Sequence, residues 1–219
     1  MNLYNEVLVV SEIFCSIQGE SSYTGLPCIF IRLSGCNLRC NYCDTKYSYE
    51  SGEKFSINNI ITKIKQYDPV KLVEITGGEP LLQSEVYELM SQLDANGYFV
   101  LLETNGSQSL KDVPHHVVKI IDVKCPDSGE GKSFLLSNLN FINKAKDETK
   151  FVLSSYFDYN WAKNFIFLNG LKNYKILFSA VSDRLDLQDL AKWITEDKLP
   201  VRMQIQLHKI IWDKDKKGV

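Results

Sequence analysis

The sequence predicts an α/β fold, an incomplete (βα) barrel left open on one side and preceded by an N-terminal strand extension. Two observations carry this. Short runs rich in β-branched and aromatic residues alternate with segments of helical period, the rhythm of βα units around a parallel sheet. The later runs start about 20 to 35 residues apart, which leaves room for one strand and its returning helix. At 219 residues the chain falls near one domain on a scale of about 150 residues each, so a single domain over 1–219 is expected.

The elements follow in order. Runs 7–14 and 28–33 have no helical segment between them and form a hairpin or an added edge ahead of the barrel. Ser56 suits an N-cap, and the helix it opens carries Ile57, Ile60, Ile61 and Ile64 at i, i+3, i+4 and i+7. After a strand at 70–76, a second helix places Val86, Leu89, Met90 and Leu93 on one face and stops at Gly97, a residue suited to a left-handed cap. Further strands are expected at 98–103, 117–123, 150–154, 175–180 and 201–207. Three strand ends run into polar or Gly-rich turns: Thr76-Gly77-Gly78-Glu79-Pro80, Glu103-Thr104-Asn105-Gly106 and Asp122-Val123-Lys124-Cys125-Pro126. One such turn is ordinary. Three at the same end of successive strands point to a site, because βα barrels build active sites from the loops at strand C-termini.

Composition removes several function classes. Twenty-five Lys and Arg against 27 Asp and Glu leave a net charge of −2, without the basic footprint of a nucleic-acid or anionic-membrane binder. Hydrophobic residues at 44% and aromatics at 11% fill a core and exclude disorder. The start carries Glu6 and Glu12 without a basic flank or long apolar run, so no signal peptide is expected. Apolar stretches such as 99–102 and 165–168 fall far short of the roughly 18 residues a membrane span needs. A cytoplasmic location is expected, where clustered cysteines read as metal-binding or catalytic before disulfide.

Three of the six cysteines, Cys36, Cys40 and Cys43, fall in one short loop after the strand at 29–33. Zinc usually takes four ligands in paired knuckles, and no second CxxC or HxxxH follows. A zinc module completed by Cys28 or a distant His remains the structural alternative. Three thiolates suit a [4Fe–4S] cluster with one iron left open for chemistry. Cys15, Cys28 and Cys125 read as small buried hydrophobes, and His115 and His116 as surface loop.

The spacing CxxxCxxC with Tyr42 before the last cysteine resembles the signature of the radical S-adenosylmethionine (SAM) enzymes. Gly77-Gly78-Glu79-Pro80, about 40 residues on, resembles that superfamily's second motif; a Gly-Gly pair lets main chain approach a ligand closely. Ser16-Ile17-Gln18-Gly19-Glu20, Arg32, Cys43-Asp44-Thr45 and Gln206-Leu207-His208 are similar to the 7-carboxy-7-deazaguanine synthase family, over essentially the whole chain. The resemblance implies a radical SAM barrel with a modified C-terminal part. It also implies a lyase converting 6-carboxy-5,6,7,8-tetrahydropterin to 7-carboxy-7-deazaguanine in queuosine and 7-deazapurine biosynthesis.

In that reading a 5′-deoxyadenosyl radical abstracts hydrogen from C6 of the pterin, the ring contracts, the hydrogen returns and ammonia leaves. The implied ligand set is Cys36, Cys40 and Cys43 for the cluster and Thr45 for Mg²⁺. SAM falls to Tyr42, Cys43, Asp44, Gly78, Glu103 and Asn105, with the segment Lys124, Cys125 and Pro126. Substrate falls to Ile17, Gln18, Gly19 and Glu20, which can read a guanine-like edge, to Arg32 for the carboxylate, and to Thr76, His208 and Val219. A flavodoxin-like or ferredoxin-like electron donor and a homodimer are implied, with no nucleic acid or membrane partner. The chain departs from the pattern at Phe178-Ser179-Ala180-Val181, where relatives often show a Leu-Gln-Pro-like strand end, and at Cys15, where an aromatic is usual. A glycyl-radical-enzyme activase would share the cluster loop and cofactor, but Gln18-Gly19-Glu20 and Cys43-Asp44-Thr45 count against it.

Overall fold

The computed structural model describes residues 7–213 and 216–218. β1 (Val7–Ile17) runs antiparallel to β2 (Pro27–Leu33), with Phe14 opposite Phe30 and their rings stacked at 5.0 Å. The N-terminal extension is therefore a hairpin, and its second strand is itself the first parallel strand of the barrel. A short strand outside those expected, β3 (Glu53–Ser56), covers the outer edge of β1. From β2 onward every pairing is parallel, through β4 (Leu72–Gly77), β5 (Phe99–Thr104), β6 (Val118–Asp122), β7 (Glu148–Leu153) and β8 (Lys175–Ala180). The last strand, β9 (Arg202–Gln204), completes a nine-stranded sheet ordered β3-β1-β2-β4-β5-β6-β7-β8-β9. The sheet stays open, as an incomplete barrel requires.

The C-terminal run corrects the expected strand at 201–207. Gln206 Nε2 donates to Glu20 Oε1 at 2.6 Å and the Leu207 amide to the Gly19 carbonyl at 3.0 Å. These contacts draw the chain off the sheet edge toward the hairpin turn, and a one-turn helix begins at His208 and ends at Ile211.

The helices are where their apolar stripes place them. α1 (Ile57–Ile64) starts at Ser56, whose hydroxyl accepts the Asn59 N–H at 3.2 Å, and buries all four of its isoleucines. α2 (Val86–Ala95) buries Val86, Leu89, Met90 and Leu93, and Gly97 beyond it has φ +79°. α3 (Tyr156–Leu168) and α4 (Leu187–Glu196) take their caps from Ser155 and Asp186. Two large core clusters result, α1 and α2 against strands as far as β6 and α3 and α4 against β7 and β8, with a small third one of Leu101, Val118 and Ile120. Cys28 and Cys125 are fully buried, and Cys15 packs half-buried against the first cluster. No helix among the described residues is long and apolar enough to cross a membrane.

Candidate active site

A cavity of about 590 Å³ opens at the C-terminal ends of the parallel strands. One part of its wall is the cysteine loop and the strand ends beside it: Cys36, Cys40, Tyr42, Cys43, Asp44, Thr45, Gly78, Glu103, Asn105 and Lys124. Another is the hairpin turn and its neighbours: Ile17, Gln18, Gly19, Glu20, Arg32, Thr76 and His208. Of the residues expected in the site, Cys125 and Pro126 do not line it. Cys125 is turned inward, its thiol 3.9 Å from the Val123 carbonyl, and Pro126 opens a short 3-10 turn behind the wall. Val219 lies outside the described residues.

The cysteine loop is tied to successive strand ends. The Asn41 amide donates to the Ser128 carbonyl at 2.9 Å, the Arg39 amide to Glu130 Oε1 at 2.7 Å, and the Tyr42 hydroxyl to the Val152 carbonyl at 3.2 Å. Gly77 has φ +143°, and a Cβ there would sit 2.1 Å from the Leu33 carbonyl oxygen; one on Gly78 would sit 2.0 Å from that of Gly35. The close approach these glycines permit is thus between their own turn and the start of the cysteine loop. Glu79, fully buried, closes the arrangement by accepting from the Leu81 amide, the Thr104 hydroxyl and the Asn105 amide.

The donor set suits a multi-iron cluster. Three thiols share one cavity wall, the kind of donor that holds iron–sulfur clusters. Burial pushes the Cys40 thiol up to about 11 against the pull of Lys124, and burial also raises Cys36; ligation takes the proton away in either case. Asn105 Oδ1 accepts the Ser107 amide at 2.9 Å while its Nδ2 reaches Asn37 Oδ1 at 3.3 Å, so the residue both shapes its turn and faces the loop. Lys124 is held in place by an ion pair, its Nζ 2.9 Å from Asp122 Oδ2. Asp122 Oδ1 is buried without a partner among the described residues, an acceptor on the cavity wall left for a ligand.

The hairpin side is a network of charges. Arg32 Nε donates to Glu12 Oε1 at 2.7 Å, and Tyr47 donates to the same oxygen at 2.6 Å. Burial works against the Arg32 charge, but Tyr47 and Glu12 more than restore it. Lys150 donates to Glu20 Oε2 at 2.8 Å and to Glu103 Oε1, and stands 3.6 Å from Asp122 Oδ2. Burial alone would raise Glu103; Lys150 overrides it and holds the carboxyl at about 2. Thr76 adds a hydroxyl to Glu103 Oε2 at 2.9 Å. Gly19 lies against His208, and a Cβ at that position would sit 2.2 Å from the imidazole Nδ1 and displace the ring. Burial lowers the His208 pKa. Lys209 reaches Asp44 at 3.0 Å and, with Arg32, lowers its pKa against the effect of burial. Thr45 lines the cavity with its hydroxyl 3.6 Å from Cys43 Sγ.

Glu12, Tyr47, Glu74 and Lys150 are among the cavity residues that no motif marked, and Asp122 lies in a marked turn without an assigned role. The signal for three of them was present. Parallel strands buried on both faces are apolar as a rule, so Glu74, Asp122 and Lys150 stand out within them and line the cavity, whereas Lys119 and Glu148 in the same strands pair instead with Asp147 and the Ser22 amide.

Comparison with known proteins agrees with this geometry. A family model described as the radical SAM superfamily matches residues 30–123. The 7-carboxy-7-deazaguanine synthase of Koribacter versatilis is 48% identical, over 96% of this chain and 99% of its own length. That of Chlorobaculum tepidum is 45% identical, over 97% of each. Among solved structures, QueE from Escherichia coli shares the fold with a TM-score of 0.78 at 24% identity, over 94% of this chain and 98% of its own. SuiB from Streptococcus suis, solved with S-adenosylmethionine, gives 0.53 at 15% identity, over 78% of this chain and 45% of its own.

Proposed function

The chain belongs to the 7-carboxy-7-deazaguanine synthases of the radical SAM superfamily, and from that premise we propose how its cavity divides the work of ring contraction. The enzyme is a lyase that turns 6-carboxy-5,6,7,8-tetrahydropterin into 7-carboxy-7-deazaguanine and ammonia. One observation carries the division: three thiols and the set Gln18, Glu20 and Arg32 line a single cavity.

Cys36, Cys40 and Cys43 hold the cluster. The backbone from Tyr42 to Asp44, with Gly78, Glu103, Asn105 and Lys124, receives SAM. With cluster and SAM bound, the site is supplied with a carbon radical that removes hydrogen from the substrate; the hard chemistry is the cofactor's. The protein's part is placement. Arg32, charged and oriented by Glu12, takes the substrate carboxylate as a charge-assisted pair. Gln18, the Gly19 backbone and Glu20 read the guanine-like edge, with Thr76 and His208 completing the wall. Thr45 would offer Mg²⁺ one hydroxyl, which suits an ion that seldom takes many protein ligands and that would help orient the substrate. The electron comes from an external flavodoxin-like or ferredoxin-like donor, and the working form is a cytoplasmic homodimer.

The test is anaerobic turnover. Reduced enzyme with SAM, Mg²⁺ and the carboxytetrahydropterin yields the deazapurine, followed by ultraviolet absorbance and mass. No product, together with a glycyl radical on a co-purified protein, favours the activase. A colourless protein holding only zinc refutes the cluster.

A further inference from the structure

Glu74 lies in the middle of β4, its side chain on the cavity wall and 4% exposed. Val73 and Ile75 on either side are fully buried, as a strand paired in parallel on both edges requires. Its carboxyl meets Gln18, whose Nε2 donates to Glu74 Oε2 at 2.6 Å. The other end of that amide is fixed too, because Gln18 Oε1 accepts the Glu20 N–H at 3.0 Å. An amide held at both ends cannot exchange its oxygen and nitrogen, so its remaining N–H and lone pair face the cavity in a single sense.

We propose that Glu74 is a positioning residue for the substrate: by accepting from Gln18 it sets the sense in which that amide meets the donor and acceptor edge of the heterocycle. The inference rests on the pterin reading of the cavity. Burial drives the Glu74 carboxyl upward, and Glu103 and Glu20 add to this against Lys150. In its neutral form the group accepts through a carbonyl oxygen, as a glutamine in its place would. Glu74→Gln therefore keeps the contact, whereas Glu74→Met keeps the volume and deletes it.

The experiment compares wild-type holoenzyme with E74Q, E74M and the exchange variant Q18E/E74Q. KM is measured for the carboxytetrahydropterin and separately for SAM. E74Q is expected to stay within about threefold of the wild-type pterin KM. E74M is expected to raise it about five- to tenfold, the worth of one oriented hydrogen bond, with kcat and the SAM KM nearly unchanged. A merely structural role would instead weaken both ligands together. Q18E/E74Q rebuilds the contact with donor and acceptor exchanged and leaves residue 18 without an N–H for the ligand, so its pterin KM stays raised. It carries the test alone if E74M does not fold. A wild-type pterin KM in E74M or in Q18E/E74Q, or an E74Q as impaired as E74M, overturns the proposal. A wild-type enzyme that makes no deazapurine overturns the pterin reading itself, and this inference with it.

Discussion

Glu12 and Arg32 meet across the β1–β2 pair, where Glu12 Oε1 accepts from Arg32 Nε at 2.7 Å and from the Tyr47 hydroxyl at 2.6 Å. Held at Nε, the guanidinium is an oriented fork rather than a loose cation. Glu12→Ala leaves a largely buried charge without its partner and is expected to raise the pterin KM about tenfold while sparing the KM for SAM. Arg32→Lys costs more, about a hundredfold, since a point charge does not replace bidentate recognition. A pterin lacking the carboxylate should bind R32K and wild type alike; if R32K discriminates against it equally, Arg32 does not hold the carboxylate.

Each of Cys36→Ala, Cys40→Ala and Cys43→Ala removes one of three ligands and leaves an incomplete site for a four-iron cube. Anaerobically reconstituted variants should lose the brown colour and fall from about four irons per chain to below one. Wild-type iron in any one of them removes that residue from the ligand set.

Thr45→Ala should lose most of the rate stimulation by Mg²⁺, and Thr45→Ser, which keeps the oxygen, should retain it. Stimulation that survives in T45A places the ion elsewhere.

Two glycines separate the two parts of the wall. Gly78→Ala drives a Cβ to 2.0 Å from the Gly35 carbonyl oxygen and is expected to cost cluster retention. Gly19→Ala drives one to 2.2 Å from His208 Nδ1 and is expected to raise the pterin KM about tenfold with iron content intact. Equal effects of both variants on iron would mean that the wall acts as one unit.

Glu74 and Glu103 titrate in opposite senses. Glu103, lowered from 4.5 to about 2, contributes stability above pH about 4.5 that is lost as pH falls toward 2. Glu74, raised above 4.5 and faced by Glu103, Glu20, Lys150 and the Cys28 thiol, contributes stability that is full below pH about 4.5 and lost as pH rises. Glu74→Gln cannot ionise, so its stability relative to wild type should grow between pH 5 and 8, by at most about 1.4 kcal/mol per unit. Thermal unfolding across that range checks it, and a constant difference rules out the shift.

Local pattern made α1, α2 and the parallel strands legible, because period and caps lie within one segment: Ser56 and the four isoleucines need no tertiary information. The cysteine loop and the Gly77-Gly78 turn were legible for the same reason. What stayed hidden depends on register between distant strands. Glu12 acquires meaning only opposite Arg32, and Glu74 only beside Gln18. The strand expected at 201–207 ends at Gln204 because Gln206 and Leu207 find partners in a turn some 186 positions earlier.

That long reach separates the two sides of the pocket in the order of synthesis. Hydrogen bonds from residues 36–43 reach no further along the described chain than Val152, 110 positions away. The turn that reads the substrate is fastened by Ser21 to Gln204, by Ser22 to Glu148 and by Glu20 to Gln206, over 126 to 186 positions. Contacts so distant bear the largest loop-closure cost and form late. A nascent chain can thus tie residues 36–43 into place while the substrate-reading turn still waits for Gln204 and Gln206, and Asp44 for Lys209.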